Sequence, residues 1–349
     1  MTAAASGGDA LVATWSRQWR GVLPARAPEE LERLREDARR AVATLQRAAT
    51  RAARGVAGRA LHRRALALDT HAIFDVSSDI PEALGFGPFT PARRWPVQIR
   101  LSSAYPLSRP DAIADQRGLA VRLADGVRRL DLLATTGEVH HARDAQAMIA
   151  SLDAAAAAVR GGIAGKLGAL VTLVRALGVA DGLRLARTVS GAAQAGVSLA
   201  SLTYYSRAPF QLGPFAVRYR FAPHTTGDPE LRAIGDDALA RDLVERRREA
   251  DVRWDFQLQG FLDGGRTPMD DHRAPWRSPW LTVARLMLPR QEPGDACGSA
   301  EIGYRATPEW PDERGAVFEP LGDLNALRGV AYVESARGRD HVTRDVKVD

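Results

Sequence analysis

Over much of the chain, apolar and polar residues alternate with a period of two. In residues 96–103, Val97, Ile99 and Leu101 fall on one side, and Gln98, Arg100 and Ser102 on the other. In 251–262, Val252, Trp254, Phe256 and Leu258 alternate with Arg253, Asp255, Gln257 and Gln259. Phe215, Val217, Tyr219 and Phe221 alternate in the same way with Ala216, Arg218 and Arg220. Each run predicts a strand with one packed and one polar face. Shorter runs predict further strands over 71–76, 118–123, 129–133 and 280–288. So many alternating strands imply an antiparallel sheet with chemically different faces, and closing it into a barrel removes the exposed edges.

Three stretches break that period. Over 28–50, Leu31, Leu34, Ala38, Ala41, Leu45 and Ala48 recur at helical spacing. Pro28 suits the first turn of that helix, and Glu29 and Glu30 suit its positive end. From 144 to 201 the chain is rich in Ala, Leu and Gly and carries no strand pattern. It predicts two or three helices, broken near Gly161-Gly162 and near Asp181-Gly182, either packed outside the barrel (the preferred arrangement) or lining a route for an apolar substrate. A last helix is predicted from Asp323, a suitable N-cap, to about Arg339. The fold class expected is α+β, an antiparallel β-barrel with flanking helices. Residues 1–55 are expected to form a helical segment packing on the barrel, and 56–349 a single domain interrupted by the insertion over 144–201.

Composition narrows the function classes. The net charge is +6 and the sequence pI about 9.9. Nucleic acid is nevertheless not an expected partner: only Lys166 and Lys347 are lysines, and the arginines are interleaved with Asp and Glu rather than gathered into a stripe. The single cysteine, Cys297, excludes an internal disulfide and a thiolate-rich metal site, and it fits a reducing compartment. The first residues lack a basic region followed by an apolar core, so no signal peptide is expected. The apolar run 167–179 is interrupted by Arg175, so no membrane span is expected. A cytoplasmic location follows.

Candidate chemistry sits on three of these elements. On the last helix, Arg328, Tyr332 and Arg339 share one face. Nearby positive charge favours a phenolate over a phenol, and a phenolate is a good ligand for ferric iron. The bland alternative is a surface tyrosine with two solvated arginines. Before the first strand, Arg59-Ala-Leu-His62 places a histidine that can accept and return a proton, or that is merely structural. The polar face of the strand Arg100-Leu-Ser102-Ser103 can offer Arg100 to an anion and Ser102 to a partner side chain.

These segments together resemble the catalase family. Arg59-Ala-Leu-His62 is similar to the catalase distal segment, and Ile99-Arg100-Leu-Ser102-Ser103 to its Val-Arg-Phe-Ser strand. Asp115-Gln-Arg-Gly118-Leu-Ala-Val-Arg-Leu resembles the strand that follows, and the stretch from Asp131-Leu-Leu to Ala142-Arg143-Asp144 resembles the next conserved segment of that family. Arg328-Gly-Val-Ala-Tyr332 has the spacing of its proximal motif, with Arg339 where a second arginine meets the ligand tyrosine. The matches keep their order from about residue 50 to 340. The resemblance implies a catalase-type barrel with haem b as cofactor and Tyr332 as the axial iron ligand. It implies His62 as the distal acid–base group, oriented by Ser102. Arg59, Arg100 and Arg328 would hold propionates or neighbouring groups, and Arg339 would support the phenolate.

Departures from the family pattern bear on activity. The distal asparagine aligns with Thr136, the phenylalanine that stacks on haem with Met148, and a pair of phenylalanines with His140-His141. The extra domain of larger catalases is not expected. The expected function is haem-dependent cleavage of a peroxide O–O bond: peroxidase-like, or acting on an organic or fatty-acid hydroperoxide as an oxidoreductase or a rearranging lyase or isomerase, with weak catalase turnover. The alternative is a non-catalytic haem carrier or sensor, or a barrel that binds an apolar ligand. Partners are a peroxide or organic hydroperoxide and further copies of the chain in a homo-oligomer. His140-His141 lacks acidic or thiol companions at ligand spacing, and Gly161-Gly162-Ile-Ala-Gly165-Lys166 fails the P-loop pattern. No Gly-x-Ser-x-Gly elbow occurs. Thr267-Pro268-Met269-Asp270-Asp271 resembles a segment of catalase-related allene oxide synthases and is taken mainly as a structural loop.

Overall fold

The computed structural model describes residues 7–159, 161–224, 227–291 and 318–345; Cys297 and Lys347 lie outside them. The strands are β1 (Arg64–Val76), β2 (Arg94–Ser103), β3 (Arg117–Ala124), β4 (Arg129–Thr136), β5 (Tyr204–Tyr205), β6 (Phe210–Leu212), β7 (Phe215–Pro223), β8 (Val252–Gly260), β9 (Trp280–Leu288) and β10 (Phe318–Pro320). Eight of them close an antiparallel ring in the order β1-β2-β3-β4-β5-β7-β8-β9, with β9 pairing back to β1. β6 adds to β7 as a hairpin arm, and β10 pairs with β6.

The period-two residues do what their spacing predicts. Val97, Ile99, Leu101, Leu119, Val121 and Leu132 turn inward and are buried. Phe74, Phe221 and Phe256 meet inside the ring at centroid distances of 5.1–5.2 Å, so the interior is a packed core and not a pore. The ring is thinnest at β5, which has two residues. There the Tyr219 hydroxyl donates to Leu133 O and accepts from Leu133 N, both at 2.9 Å, and so joins β7 to β4. Near one end, Trp15 lies over Gly260, where a Cβ would fall 1.9 Å from the indole; only glycine fits.

Helices cover the outside. They are α1 (Gly7–Val12), α2 (Pro28–Ala52), α3 (Ala145–Ala158), α4 (Gly162–Gly191), α5 (Ala238–Glu249) and α6 (Gly322–Asp345). The apolar stripe of α2, including Ala38, Ala41 and Leu45, packs against Leu152 of α3 and Leu324 and Leu327 of α6. Asp144 caps α3 by accepting from Ala147 N at 3.0 Å. α5 is tied to β1 by the buried Arg247–Asp69 pair at 2.6 Å.

The break expected near Asp181-Gly182 falls at Gly178 (φ +80°). Gly182 is helical and buried, and a Cβ on it would lie 3.0 Å from Val174 N. It serves close packing of the two arms of α4, whereas Gly178 supplies the left-handed turn between them.

Candidate functional site

The outer face of β2, β3 and β4 carries the candidate residues. His62 stands two residues before β1 and has a left-handed backbone (φ +53°), which costs a non-glycine residue about 1–2 kcal/mol. Its neighbours hold it there. The His62 amide donates to Ala104 O at 2.9 Å, and its carbonyl accepts from Arg100 Nη2 at 2.8 Å. The same guanidinium nitrogen reaches Arg63 O at 3.2 Å. His62 Nδ1 is 3.0 Å from Ser102 Oγ, so the sequence-predicted pair is brought together. Ser102 is opposite Gly118 in the β2–β3 register, and a Cβ on Gly118 would be 2.5 Å from His62 Nδ1. The imidazole occupies space that only glycine leaves open.

Tyr332 reaches the same sheet face from α6. It packs against Ala120 and Leu133, each two residues along its strand from the Gly118–Thr135 pair. One turn on, Ser335 Oγ accepts from Ala60 N at 3.0 Å. Gln46 Nε2 donates both to Ser335 O at 3.1 Å and to Gly58 O at 2.8 Å. The segment holding Arg59 and His62 is thus tied to α2 and to the helix bearing Tyr332. The flanking arginines bond to neighbouring backbone and side-chain groups. Arg328 Nη1 donates to Ser206 O at 3.2 Å and to Asn325 Oδ1 at 3.0 Å, and Arg339 Nη1 donates to Ser335 O at 3.2 Å.

The electrostatics are dominated by guanidinium groups. Burial pushes the His62 imidazole down to about 3, and the charges of Arg100, Arg207, Arg59 and Arg328 push the same way. Arg59 and Arg100 are buried. Arg207 was not foreseen. Its backbone is left-handed (φ +63°); Nε donates to Gly137 O at 3.0 Å and Nη1 to Gln116 Oε1 at 2.9 Å. Its Nη2 is buried without a hydrogen-bond partner among the described residues, and burial lowers the guanidinium to about 10. A sequence signal for it was absent, because Gly137 and Gln116 are brought to Arg207 only by the fold.

Three more histidines stay neutral nearby. The His140 and His141 rings stack at 4.3 Å. His140 Nδ1 accepts from Ala142 N at 3.0 Å, and His141 Nε2 lies 3.2 Å from Ser151 Oγ. The His140 amide donates to His272 O at 3.0 Å. Burial drives His140 well below its ordinary value, and His141 and His272 to about 3. Among the described residues no group of three or more His, Cys, Asp or Glu side chains is placed to hold a metal ion. Beside His141 a cavity of about 230 Å³ is lined by Arg143, Ala147, Leu177, Leu185 and Arg273.

Two expected site residues lie elsewhere. Thr136 does not meet His62: its Oγ1 accepts from Arg117 N at 3.0 Å and donates to Ala192 O at 3.2 Å. Side chains alternate along a strand, so the residue sharing the face of Leu133 and paired with Gly118 is Thr135. Met148 is buried in the α2–α3–α6 layer with Ala38, Leu45 and Leu327, not on the face that holds Tyr332. The loop at Thr267 is structural as expected: Thr267 Oγ1 accepts from Leu262 N at 2.9 Å and donates to Asp263 O at 2.7 Å.

Solved structures similar to this chain include three catalases. A fungal catalase matches with a TM-score of 0.53 at 15% identity, covering 81% of this chain and 59% of that one. A bacterial catalase matches with a TM-score of 0.53 at 15% identity, covering 81% and 58%. Catalase A from Saccharomyces cerevisiae matches with a TM-score of 0.55 at 15% identity, covering 81% and 61%. The chain therefore has the catalase-type fold, and it spans about three-fifths of the length of those proteins. No family model and no curated protein sequence matches it.

The donor set suits the haem that such a fold implies. A phenol and a neutral histidine stand on one sheet face, and four guanidiniums act on that histidine, among them Arg207 with its buried Nη2. A group carrying two carboxylates answers that charge. The 230 Å³ cavity lies to the side and is below the roughly 300–1,000 Å³ of ordinary small-molecule sites.

Proposed function

We propose that this protein binds haem b through Tyr332, with His62 as the acid–base group, and uses it to cleave a peroxide O–O bond. The observation that carries this proposal is the His62–Ser102 pair, fixed in a left-handed backbone and surrounded by buried arginines. When bound, haem would supply the ferric centre at which the O–O bond breaks.

The chain's own residues have distinct tasks. Tyr332 would hold the iron. Arg59, Arg100 and Arg207 would receive the carboxylates, with Arg328 and Arg339 adding positive charge on the helix of Tyr332. Ser102 accepts from Nδ1 of His62 in the tautomer that leaves Nε2 basic, so Nε2 takes the peroxide proton and returns it to the departing oxygen. Bringing anionic groups among the guanidiniums raises the basicity of His62 from its depressed value, which makes it a better proton acceptor in the loaded protein.

The substrate favoured is an organic hydroperoxide. Thr135 stands on the distal face where an amide would offer two donors, and a hydroxyl offers one. Weaker placement of a second hydrogen peroxide follows, with peroxidase-like or rearrangement chemistry preferred over oxygen release. A ligand site inside the barrel is disfavoured by the aromatic packing there. A haem carrier or sensor is the second alternative, and the geometry of His62 and Ser102 favours the enzyme over it. The test is consumption of an organic hydroperoxide by haem-loaded protein. His62→Ala should retain haem and slow the reaction about a hundredfold or more; an unchanged rate would support the carrier.

A further inference from the structure

The two arms of α4 carry an apolar surface that the barrel does not use. In the first arm, Leu173 and Leu177 pack with Ala150 and Ala154 of α3 and Leu185 of the second arm. On the solvent side, Ile163, Leu167 and Val171 follow one another at i, i+4 and i+8; Ile163 is 86% and Leu167 59% exposed. Beyond the Gly178 turn, Val179, Leu183 and Val189 are exposed as well, Val179 by 63%. Exposed apolar residues in sequence on one helical hairpin mark an interaction surface.

The charge around this surface has one sign. Lys166, Arg175, Arg184 and Arg187 are exposed on the same hairpin. Its one acidic residue, Asp181, is paired with Arg273 at 2.9 Å and lies 3.7 Å from Arg184. A second copy docking through a two-fold axis would set these cations against each other. An anionic surface would complement them, with the cationic heads among phosphates and the apolar stripe below.

α4 is long and apolar enough in total to cross a membrane, but its shape is wrong for a span. In a straight helix, residues 173 and 182 would be about 13 Å apart along the axis. Here a Cβ on Gly182 would lie within 3.1 Å of the Leu173 carbonyl carbon, so the chain doubles back. The arm from 162 to 177 is about 24 Å long, short of the roughly 30 Å hydrocarbon core. We infer that α4 lies in the plane of an anionic lipid bilayer and docks the protein on its surface. This inference is independent of haem binding.

Flotation of the full-length protein with vesicles tests it. Vesicles of phosphatidylcholine with one quarter phosphatidylglycerol should carry the protein. Vesicles of phosphatidylcholine alone, or the mixed vesicles at high salt, should bind it about tenfold more weakly. Ile163→Asp combined with Leu167→Asp should abolish flotation while the circular dichroism spectrum is unchanged. Lys166→Glu combined with Arg187→Glu should remove the preference for phosphatidylglycerol. The inference is overturned by a wild-type protein that fails to float with either vesicle, or by undiminished flotation of the aspartate variant. It is also overturned if the aspartate pair dissociates an oligomer that itself fails to bind lipid, which would assign the stripe to a second copy.

Discussion

The His62 imidazole fills the space that a side chain on Gly118 would need, 2.5 Å from Nδ1 and 2.6 Å from Cε1. Gly118 also faces Ser102 across the β2–β3 pairing, so one glycine sets the position of both polar groups. Gly118→Ala should leave the barrel folded, because the clash is with a ring that can rotate away. It should cost about 1–3 kcal/mol in urea unfolding, as overpacking does. The reaction of haem-loaded protein with hydroperoxide should fall as far as in His62→Ala. A Gly118→Ala protein with wild-type rates would show that the ring position is unimportant.

Thr135 and Thr136 should separate cleanly. Thr136 Oγ1 serves the buried Arg117 N–H and the Ala192 carbonyl, so Thr136→Val should destabilise the protein by about 1–3 kcal/mol. Thr135→Val should leave stability nearly unchanged. In the haem-loaded protein, Thr135→Asn should raise oxygen release from hydrogen peroxide, and Thr136→Asn should not. An oxygen electrode reads the difference, and equal effects from the two asparagines would refute the assignment of faces.

Stability should fall with acid from a higher pH than carboxylates alone require. His62, His141 and His272 are held at about 3 by burial, and His140 is also well below its ordinary value. Unfolding returns each to about 6.5, so below that pH the unfolded chain binds more protons than the folded one. Stability is therefore lost as pH drops from about 6.5 towards 3, by up to about 1.4 kcal/mol per pH unit for each histidine. His62 and His141 are only partly buried and contribute less than His140 and His272. Urea midpoints of haem-free protein between pH 7 and 5 check this, and His141→Gln should reduce the slope by one proton. A flat profile over that range would contradict neutral buried histidines.

Much of the fold is legible in the sequence because the strands carry a clean period of two. The core of β2, β7 and β8 lies where Val97, Phe215 and Val252 begin the alternation. β5, β6 and β10 are two or three residues long, too short to show any period. The turn in α4 lies at Gly178, three residues before Asp181; Gly178 and Gly182 read alike in sequence, and only packing shows that Gly182 marks a close approach. In the site, the motif around Arg59-Ala-Leu-His62 and the strand of Ser102 locate a pair 40 residues apart. Thr135 and Thr136 lie on opposite faces of β4, and a one-residue slip in a strand exchanges such faces. Arg207 and the crowding at Gly118 depend on contacts between distant segments, which no local pattern encodes.

Haem binding through Tyr332 is tested most directly by the absorption spectrum of purified protein titrated with haemin. The expected result is a Soret band that saturates at one haem per chain with the features of phenolate-ligated high-spin ferric haem, lost or shifted in Tyr332→Phe and retained in His62→Ala. A protein that stays colourless with added haemin, or whose spectrum is identical in Tyr332→Phe, would contradict it.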